Sequence, residues 1–356
     1  MEDILNYPYI KQFRQALVTW YLKEQRDLPW RHTKEPYQIW VSEVMLQQTR
    51  VDTVIPYYNR FIEKYPTAES LAYTPEEELL KMWEGLGYYS RVRNLQAGVR
   101  EVVEVYGGKV PDNRVDISKL KGVGPYTAGA ILSIAYGKPE HAVDGNVMRV
   151  LSRVLNIDAD IALPKTKKIF EEAVTKLIDV ENPSAFNQGL MELGALICTP
   201  TSPKCLLCPV RDYCTAFHEG NPASLPVKSK KLKTKDIHYD VYVIRDKDGN
   251  YLMEKRMEEG LLANMWQFIM VEHDEAENSL TKVEKQYNVI LNRELVEPII
   301  SFKHVFSHLK WHISSYLVDA IDTGDLRQLN TAFLSKEQME SIPMPVPMLK
   351  ILGKLS

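Results

Sequence analysis

Gly122-Val123-Gly124-Pro125 leaves the backbone fewer choices than any other part of this chain. Glycine reaches φ > 0 at little steric cost. Proline has a locked φ and no amide hydrogen, so it starts helices rather than continuing them. The spacing predicts a helix ending over Ile117–Lys121, a tight turn at Gly122–Gly124, and a second helix over Pro125–Tyr136. Bare amides at that helix start suit an anion such as a phosphate, and Lys119 and Lys121 suit a polyanion. A purely structural turn reads the same way, so the turn alone leaves both readings open. Asp144 follows twenty residues after Gly124, within Val143-Asp144-Gly145-Asn146, and is a good N-cap for a helix over Val147–Leu155.

A chain of 356 residues is long for one domain, and its 45% apolar content is enough for real cores. Charged residues are 26% of the chain, which argues against global disorder. The net charge of −3 gives no support to nucleic-acid binding, so a DNA reading must rest on local basic faces. Met1–Leu17 mixes Glu2, Asp3, Lys11 and Arg14 into its apolar residues, unlike a signal peptide, and no apolar run is long enough to span a membrane. A soluble intracellular protein with reduced thiols is expected.

Residues 7–30 contain an amphipathic helix carrying Phe13, Leu17, Trp20 and Tyr21. It gives way at Asp27-Leu28-Pro29-Trp30-Arg31, where Trp30 and Arg31 are either core and loop residues or a sandwich for a base. Pro36–Arg50 is the next expected helix. Glu43 lies three after Trp40 and three before Leu46, so it shares their apolar face. Burial there would disfavour the carboxylate and make a general acid usable near neutral pH; the plainer reading is a solvated charge. Gln47, Gln48, Thr49 and Arg50 form a polar patch suited to base edges and phosphates. Helices over Thr67–Ala72 and Pro75–Trp83 lead to Gly85-Leu86-Gly87-Tyr88-Tyr89, followed by Arg91 and Arg93. This is either a turn whose Leu86 and Tyr88 enter a base stack while the arginines hold phosphates, or a helix connection with Tyr88 in the core. Further helices are expected at Pro164–Val180 and Pro183–Cys198, with Gln188 on the second.

All four cysteines, Cys198, Cys205, Cys208 and Cys214, fall in one loop as C-x6-C-x2-C-x5-C. Four thiols so close in a reducing compartment point to a metal. Structural zinc commonly uses two C-x2-C pairs and only one is present; a [4Fe–4S] cluster also takes four cysteines. Lys204, Arg211 and Lys228 nearby suit a DNA backbone. Leu225–Lys235 reads as the domain boundary, with five lysines between Lys228 and Lys235. Beyond it a β-hairpin is expected from Tyr239 to Lys255, then an apolar loop over Gly260–Phe268, a helix over Leu280–Tyr287, strands over Ile299–Phe306 and Trp311–Ala320, and a short terminal helix after Pro343. The class is α+β, and Phe306-Ser307-His308 is an exposed turn tip.

Taken together, Leu28-Pro29-Trp30-Arg31, Val41–Thr49, Gly85–Tyr89, the glycine hairpin, Val143–Asn146 and the four-cysteine loop resemble the MutY family of adenine DNA glycosylases, within the helix-hairpin-helix superfamily of endonuclease III. The resemblance implies an all-α, two-lobed catalytic domain over 1–225, a basic linker over 226–236, and a Nudix-like domain over 237–356 that reads 8-oxoguanine. It implies a [4Fe–4S] cluster on the four cysteines. It implies Glu43, Asp144, Tyr126 and Asn146 as the catalytic set: Glu43 protonates adenine N7, and Asp144 stabilises the sugar cation. Tyr126 and Asn146 position these groups or the water. Trp30, Arg31 and Gln188 line the adenine pocket. Gln48, Thr49, Leu86, Gly87, Tyr88, Ser118, Gly122 and Gly124 meet DNA, and Ser307 faces the lesion. The implied substrate is duplex DNA holding adenine opposite 8-oxoguanine or guanine, bound by a monomer on the nucleoid. Bifunctional relatives carry a lysine two residues after the second hairpin glycine. Tyr126 stands there and cannot form an imine, so a monofunctional glycosylase is expected. The helix around Lys282–Tyr287 lacks the paired glutamates that hold magnesium in Nudix hydrolases, so recognition rather than hydrolysis is expected of that domain. The rival readings are an endonuclease III-like lyase acting on oxidised pyrimidines, a non-catalytic DNA-binding module with a structural cluster, and an iron–sulfur electron carrier.

Overall fold

The computed structural model describes residues 7–229, 234–273, 279–292, 297–324, 326 and 330–355. Met1–Asn6 and the lysine-rich centre of the expected linker, Lys230–Lys233, lie outside the described residues. The chain divides into two compact units. One comprises Met1–Tyr73 with Arg93–Lys230; the other comprises Thr74–Val92 with Lys231–Ser356.

In chain order the helices are α1 (Ile10–Glu24), α2 (Pro36–Leu46), α3 (Val51–Lys64), α4 (Ala68–Ala72), α5 (Glu76–Met82), α6 (Ser90–Tyr106), α7 (Arg114–Ile117), α8 (Pro125–Ile134), α9 (Gly145–Val154), α10 (Thr166–Leu177), α11 (Pro183–Leu196) and α12 (Thr215–His218). The first unit's core is built where α1, α9 and α11 meet. Phe13, Leu17 and Tyr21 pack with Val147, Val150 and Leu151 and with Phe186, Leu190 and Leu193. The glycine hairpin forms as its chemistry requires: Gly122 takes φ +78, Gly124 caps α8, and Pro125 fills its first position. A Cβ on Gly122 would sit 2.8 Å from Cβ of Asn94, so glycine also permits the close approach of α6.

The helix expected to end over Ile117–Lys121 is the short α7, which closes at Ile117, and residues 118–122 are turn and bend. A second expectation also changes, and one further helix is present. The helix starting at Pro36 stops at Leu46 instead of Arg50, because Gln47 turns extended and Gln48 takes φ +59. A separate helix, α3, then buries Val54, Tyr58 and Phe61 on one face. The sequence reading passed over it.

The second unit is built on a sheet of β1 (Lys235–Arg245), β2 (Tyr251–Lys255), β3 (Trp266–Glu272), β4 (Val289–Leu291), β5 (Ile300–Val305), β6 (Leu309–Thr323) and β7 (Thr331–Leu334). The strand order is β4-β6-β1-β3-β2-β7, with β5 on β6. The expected hairpin is corrected here. The Asp248-Gly249 turn exists and Arg245 pairs with Tyr251, but β3 lies between β1 and β2. The segment read as an apolar loop therefore becomes strand from Trp266 onward. β1 runs parallel to β6 from Lys235↔Leu309 to Arg245↔Asp319. One face of β1 buries Val241 and Val243 in a core shared with α14 (Lys336–Ser341) and α15 (Val346–Leu352) through Met339, Met348 and Ile351. The other buries Tyr242 and Ile244 with Val283 and Tyr287 of the intervening helix Ser279–Tyr287, labelled α13. Phe306-Ser307-His308 links β5 to β6, with Ser307 and His308 exposed as expected.

Thr74–Val92 belongs to this unit through specific bonds. Trp266 Nε1 donates to Glu77 at 2.7 Å, Lys81 Nζ donates to the Ile342 carbonyl at 3.1 Å, and the Met344 amide donates to Glu84 at 2.8 Å. Among the described residues no helix is long and apolar enough to cross a membrane.

Candidate active site

The first unit holds a cavity of about 670 Å³ whose wall includes Trp30, Arg31, Glu43, Tyr126, Asp144 and Asn146. α2 delivers Glu43 from an apolar turn, between buried Ser42 and Val44, and leaves it only 6% exposed. Burial raises the Glu43 carboxyl to about 7, with the Asp144 charge adding to the rise and the Tyr126 hydrogen bond and Arg31 opposing it. Tyr126 sits one residue into α8, so the hairpin fixes it; its phenol donates to Glu43 Oε2 at 2.5 Å. Burial holds that phenol well above its ordinary range, so it remains a donor.

Asp144 does what its N-cap position requires and also reaches the cavity. Its Oδ1 accepts from the Val147 amide at 2.7 Å, and its Oδ2 accepts from Asn146 Nδ2 at 2.9 Å. Burial pushes its carboxyl up, against the pull of those bonds. Asn146 is fixed in turn by Arg149, which donates to Asn146 Oδ1, to the Gly194 carbonyl and to the Cys198 carbonyl, each at 2.8 Å. Gly194 permits this approach, since a Cβ there would lie 2.7 Å from Cβ of Asn146.

Gln48, Thr49, Gln188 and Gly124 also line the cavity. Trp30 is buried edge-on against Tyr58. Ser118 and Gly122 are exposed at the hairpin, outside the cavity wall. Leu86, Gly87, Tyr88 and Ser307 belong to the second unit. There Tyr88 is 49% exposed with φ +47, not a core residue, and its hydroxyl lies 3.0 Å from Ser307 Oγ. Leu86 is buried. The expectation that Arg91 holds phosphate fails in this structure. Its side chain is buried, donates to the Leu86 and Gly87 carbonyls at 3.2 and 3.0 Å, and stacks over Trp83. Sequence reasoning missed Glu192, which is 1% exposed and pairs with both Arg26 and Arg31 in the cavity wall. Its signal was the one that exposed Glu43, an acid amid apolar neighbours on a helix, here Leu190, Met191 and Leu193.

The four cysteines line a second, smaller cavity with Val150, Val154, Leu193 and Val210. Burial raises the thiols of Cys208 and Cys214 to about 12 and about 11, so a cation is needed to hold them as thiolates. Arg153 donates to Cys198 Sγ at 3.2 Å, a bond that suits a ligating sulfur. Among the described residues no three such side chains converge on one ion. A cluster needs no such point, because each thiolate takes its own iron. The donor set therefore fits an iron–sulfur cluster.

Three family descriptions match. Residues 41–179 match the HhH-GPD superfamily base excision DNA repair protein, residues 198–214 the iron-sulfur binding domain of endonuclease III, and residues 240–354 the NUDIX domain. The loop is thus an iron–sulfur loop of the [4Fe–4S] kind. An adenine DNA glycosylase from Arabidopsis thaliana is 34% identical over 92% of this chain, which spans 60% of that longer relative. One from Buchnera aphidicola subsp. Acyrthosiphon pisum is 33% identical over 96% of both chains. A solved thermostable thymine-DNA glycosylase is 34% identical, with a TM-score of 0.54, over 59% of this chain and 97% of its own. Because the Buchnera match runs through the helical unit, the cysteine loop and the sheet alike, the chain as a whole belongs to the adenine DNA glycosylase family.

Proposed function

We propose that this chain is a monofunctional base-excision glycosylase that removes adenine mispaired with 8-oxoguanine or guanine from duplex DNA, acting as a monomer inside the cell. The observation that carries the reading is the Glu43–Tyr126 pair beside Asp144 in one cavity. It is an acid able to hold a proton at neutral pH next to a carboxylate fixed by an amide and an amide side chain.

The two carboxyl groups divide the work as in sugar hydrolysis. Glu43 donates its proton to N7 of the extruded adenine, making it a better leaving group. Asp144 stabilises the positive charge that develops on the sugar. Asn146, clamped by Arg149, holds the attacking water or orients Asp144. Trp30, Arg31 and Gln188 bound the base. The exposed Ser118, Gly122 and Gly124 hold the backbone phosphates through the hairpin and the α8 start. Gln48 and Thr49 contact the duplex from the first unit; in the second unit Gly87 and exposed Tyr88 do so, on the turn that buried Leu86 anchors. Ser307 reads the opposite base. Cys198, Cys205, Cys208 and Cys214 would hold the cluster, which would cross-link the loop and fix its shape.

Tyr126 supports base removal without strand cleavage, since a phenol forms no imine with the abasic sugar. The test is a duplex with one adenine opposite 8-oxoguanine. Free adenine should appear while the strand stays whole until alkali cleaves it. Strand breaks arising without alkali, in step with base loss, would support the lyase reading instead. No free adenine from iron-replete protein would overturn the proposal.

A further inference from the structure

Glu192 has no part in the two-carboxylate scheme, yet it is the most heavily bonded acid in the cavity wall. Its Oε1 accepts from the Arg26 amide at 3.1 Å, from Arg26 Nε at 2.9 Å and from an Arg31 terminal nitrogen at 3.1 Å. Its Oε2 accepts from both guanidinium groups at 2.8 Å. Arg31 is further held by the Arg26 carbonyl at 2.9 Å and lies over the Tyr21 ring. A carboxylate gripping two planar forks fixes both in angle as well as distance.

The charges matter as much as the geometry. The charged and titratable groups lining the cavity around Glu43 are Arg26, Arg31, Tyr126, Asp144, Lys167 and Glu192. Arg31 is the cation that works against a proton on Glu43. With Glu192 between them, the two arginines present a net charge of one instead of two.

We propose that Glu192 is a positioning and charge-balancing residue of the base-release reaction: it locks the Arg31 head in the cavity wall and offsets its positive field at Glu43. The inference rests on the reading of Glu43 as the general acid. It explains how a buried cation can bound the adenine pocket without stripping the acid of its proton. It also accounts for a carboxylate burying five hydrogen bonds where an apolar residue would pack more cheaply.

The test follows the Glu43 carboxyl by ¹³C NMR in the whole protein, with the Glu43 signal assigned by its loss in Glu43→Gln, alongside the pH profile of single-turnover adenine release. Glu192→Gln should move both midpoints down by roughly one unit. Arg31→Met keeps the Arg26–Glu192 pair and should move the NMR midpoint up. The double variant should return toward wild type. Unchanged midpoints in all three, with only stability or rate amplitude altered, would reduce Glu192 to a structural ion pair and overturn the proposal. Should Glu192→Gln fail to fold, Arg31→Met decides, since an unmoved NMR midpoint there refutes the opposing field. A wild type that shows the NMR titration but releases no adenine would sink the glycosylase reading and leave the charge balance standing.

Discussion

The Tyr126 phenol donates a 2.5 Å hydrogen bond to Oε2 of Glu43, across 83 residues of sequence. Burial raises the carboxyl and the phenol lowers it, and the balance leaves Glu43 at about 7. A lysine at position 126 would place an ammonium on that carboxyl and hold it ionised. The residue that removes the Schiff-base nucleophile is thus the residue that leaves Glu43 able to carry a proton.

Glu43 should make stability depend on pH. Its folded value, about 7, is above its ordinary 4.5, so the folded chain holds the proton more tightly. Its contribution is fully present below pH about 4.5 and is lost as pH rises through about 7, roughly 3 kcal/mol in all. Denaturant titrations of wild type and Glu43→Gln, at about pH 5 and about pH 8, should show the mutant gaining on wild type by about 2–3 kcal/mol at the higher pH. An equal difference at both would mean that Glu43 does not titrate in the folded state.

Asp144→Asn should separate capping from catalysis. Asparagine caps nearly as well as aspartate, so circular dichroism and duplex binding should stay close to wild type while base release is lost. Asp144→Ala should additionally cost about 1 kcal/mol of stability. Unfolding of Asp144→Asn would assign the residue to structure alone.

Much of this site was legible because its chemistry is local. Gly122, Gly124 and Pro125 dictate a turn and a helix start, and Asp144 dictates a cap. Glu43 was legible from its neighbours on one helix face. What failed depends on distant partners. The Asp248-Gly249 turn is real, but which strand lies beside β1 is decided by Trp266–Glu272. Arg91 carries no mark saying that its guanidinium will be used on the Leu86 and Gly87 carbonyls. The break after Leu46 depends on Gln48 at φ +59, a conformation glutamine does not advertise.

Ser307 is exposed, and its hydroxyl can both donate and accept. It can accept from N7–H of 8-oxoguanine and donate to O8, whereas plain guanine offers only an acceptor at N7. One such bond is worth about 0.5–1.5 kcal/mol. Ser307→Ala should therefore lower the ratio of adenine-release rates opposite 8-oxoguanine and guanine severalfold; an unchanged ratio would remove Ser307 from lesion reading. Cutting the chain before Lys235 is the poorer test, since it takes Trp266 from Glu77 and Met344 from Glu84.

Purified without oxygen, the protein should be brown with roughly four irons per chain. Cys208→Ser should lower that number and destabilise the loop that carries the Cys198 carbonyl bonded by Arg149. Stoichiometric zinc and no iron in the native protein would contradict the assignment.

The most direct measurement is the single-turnover rate of adenine release from a duplex with adenine opposite 8-oxoguanine, taken across pH for wild type and Glu43→Gln. The wild-type rate should fall as pH rises through about 7, because Glu43 loses its proton there. The mutant should be slower by about 10²–10⁴-fold, with that limb gone. A mutant within about threefold of wild type, or a wild-type rate that stays level through this range, would contradict Glu43 as the general acid.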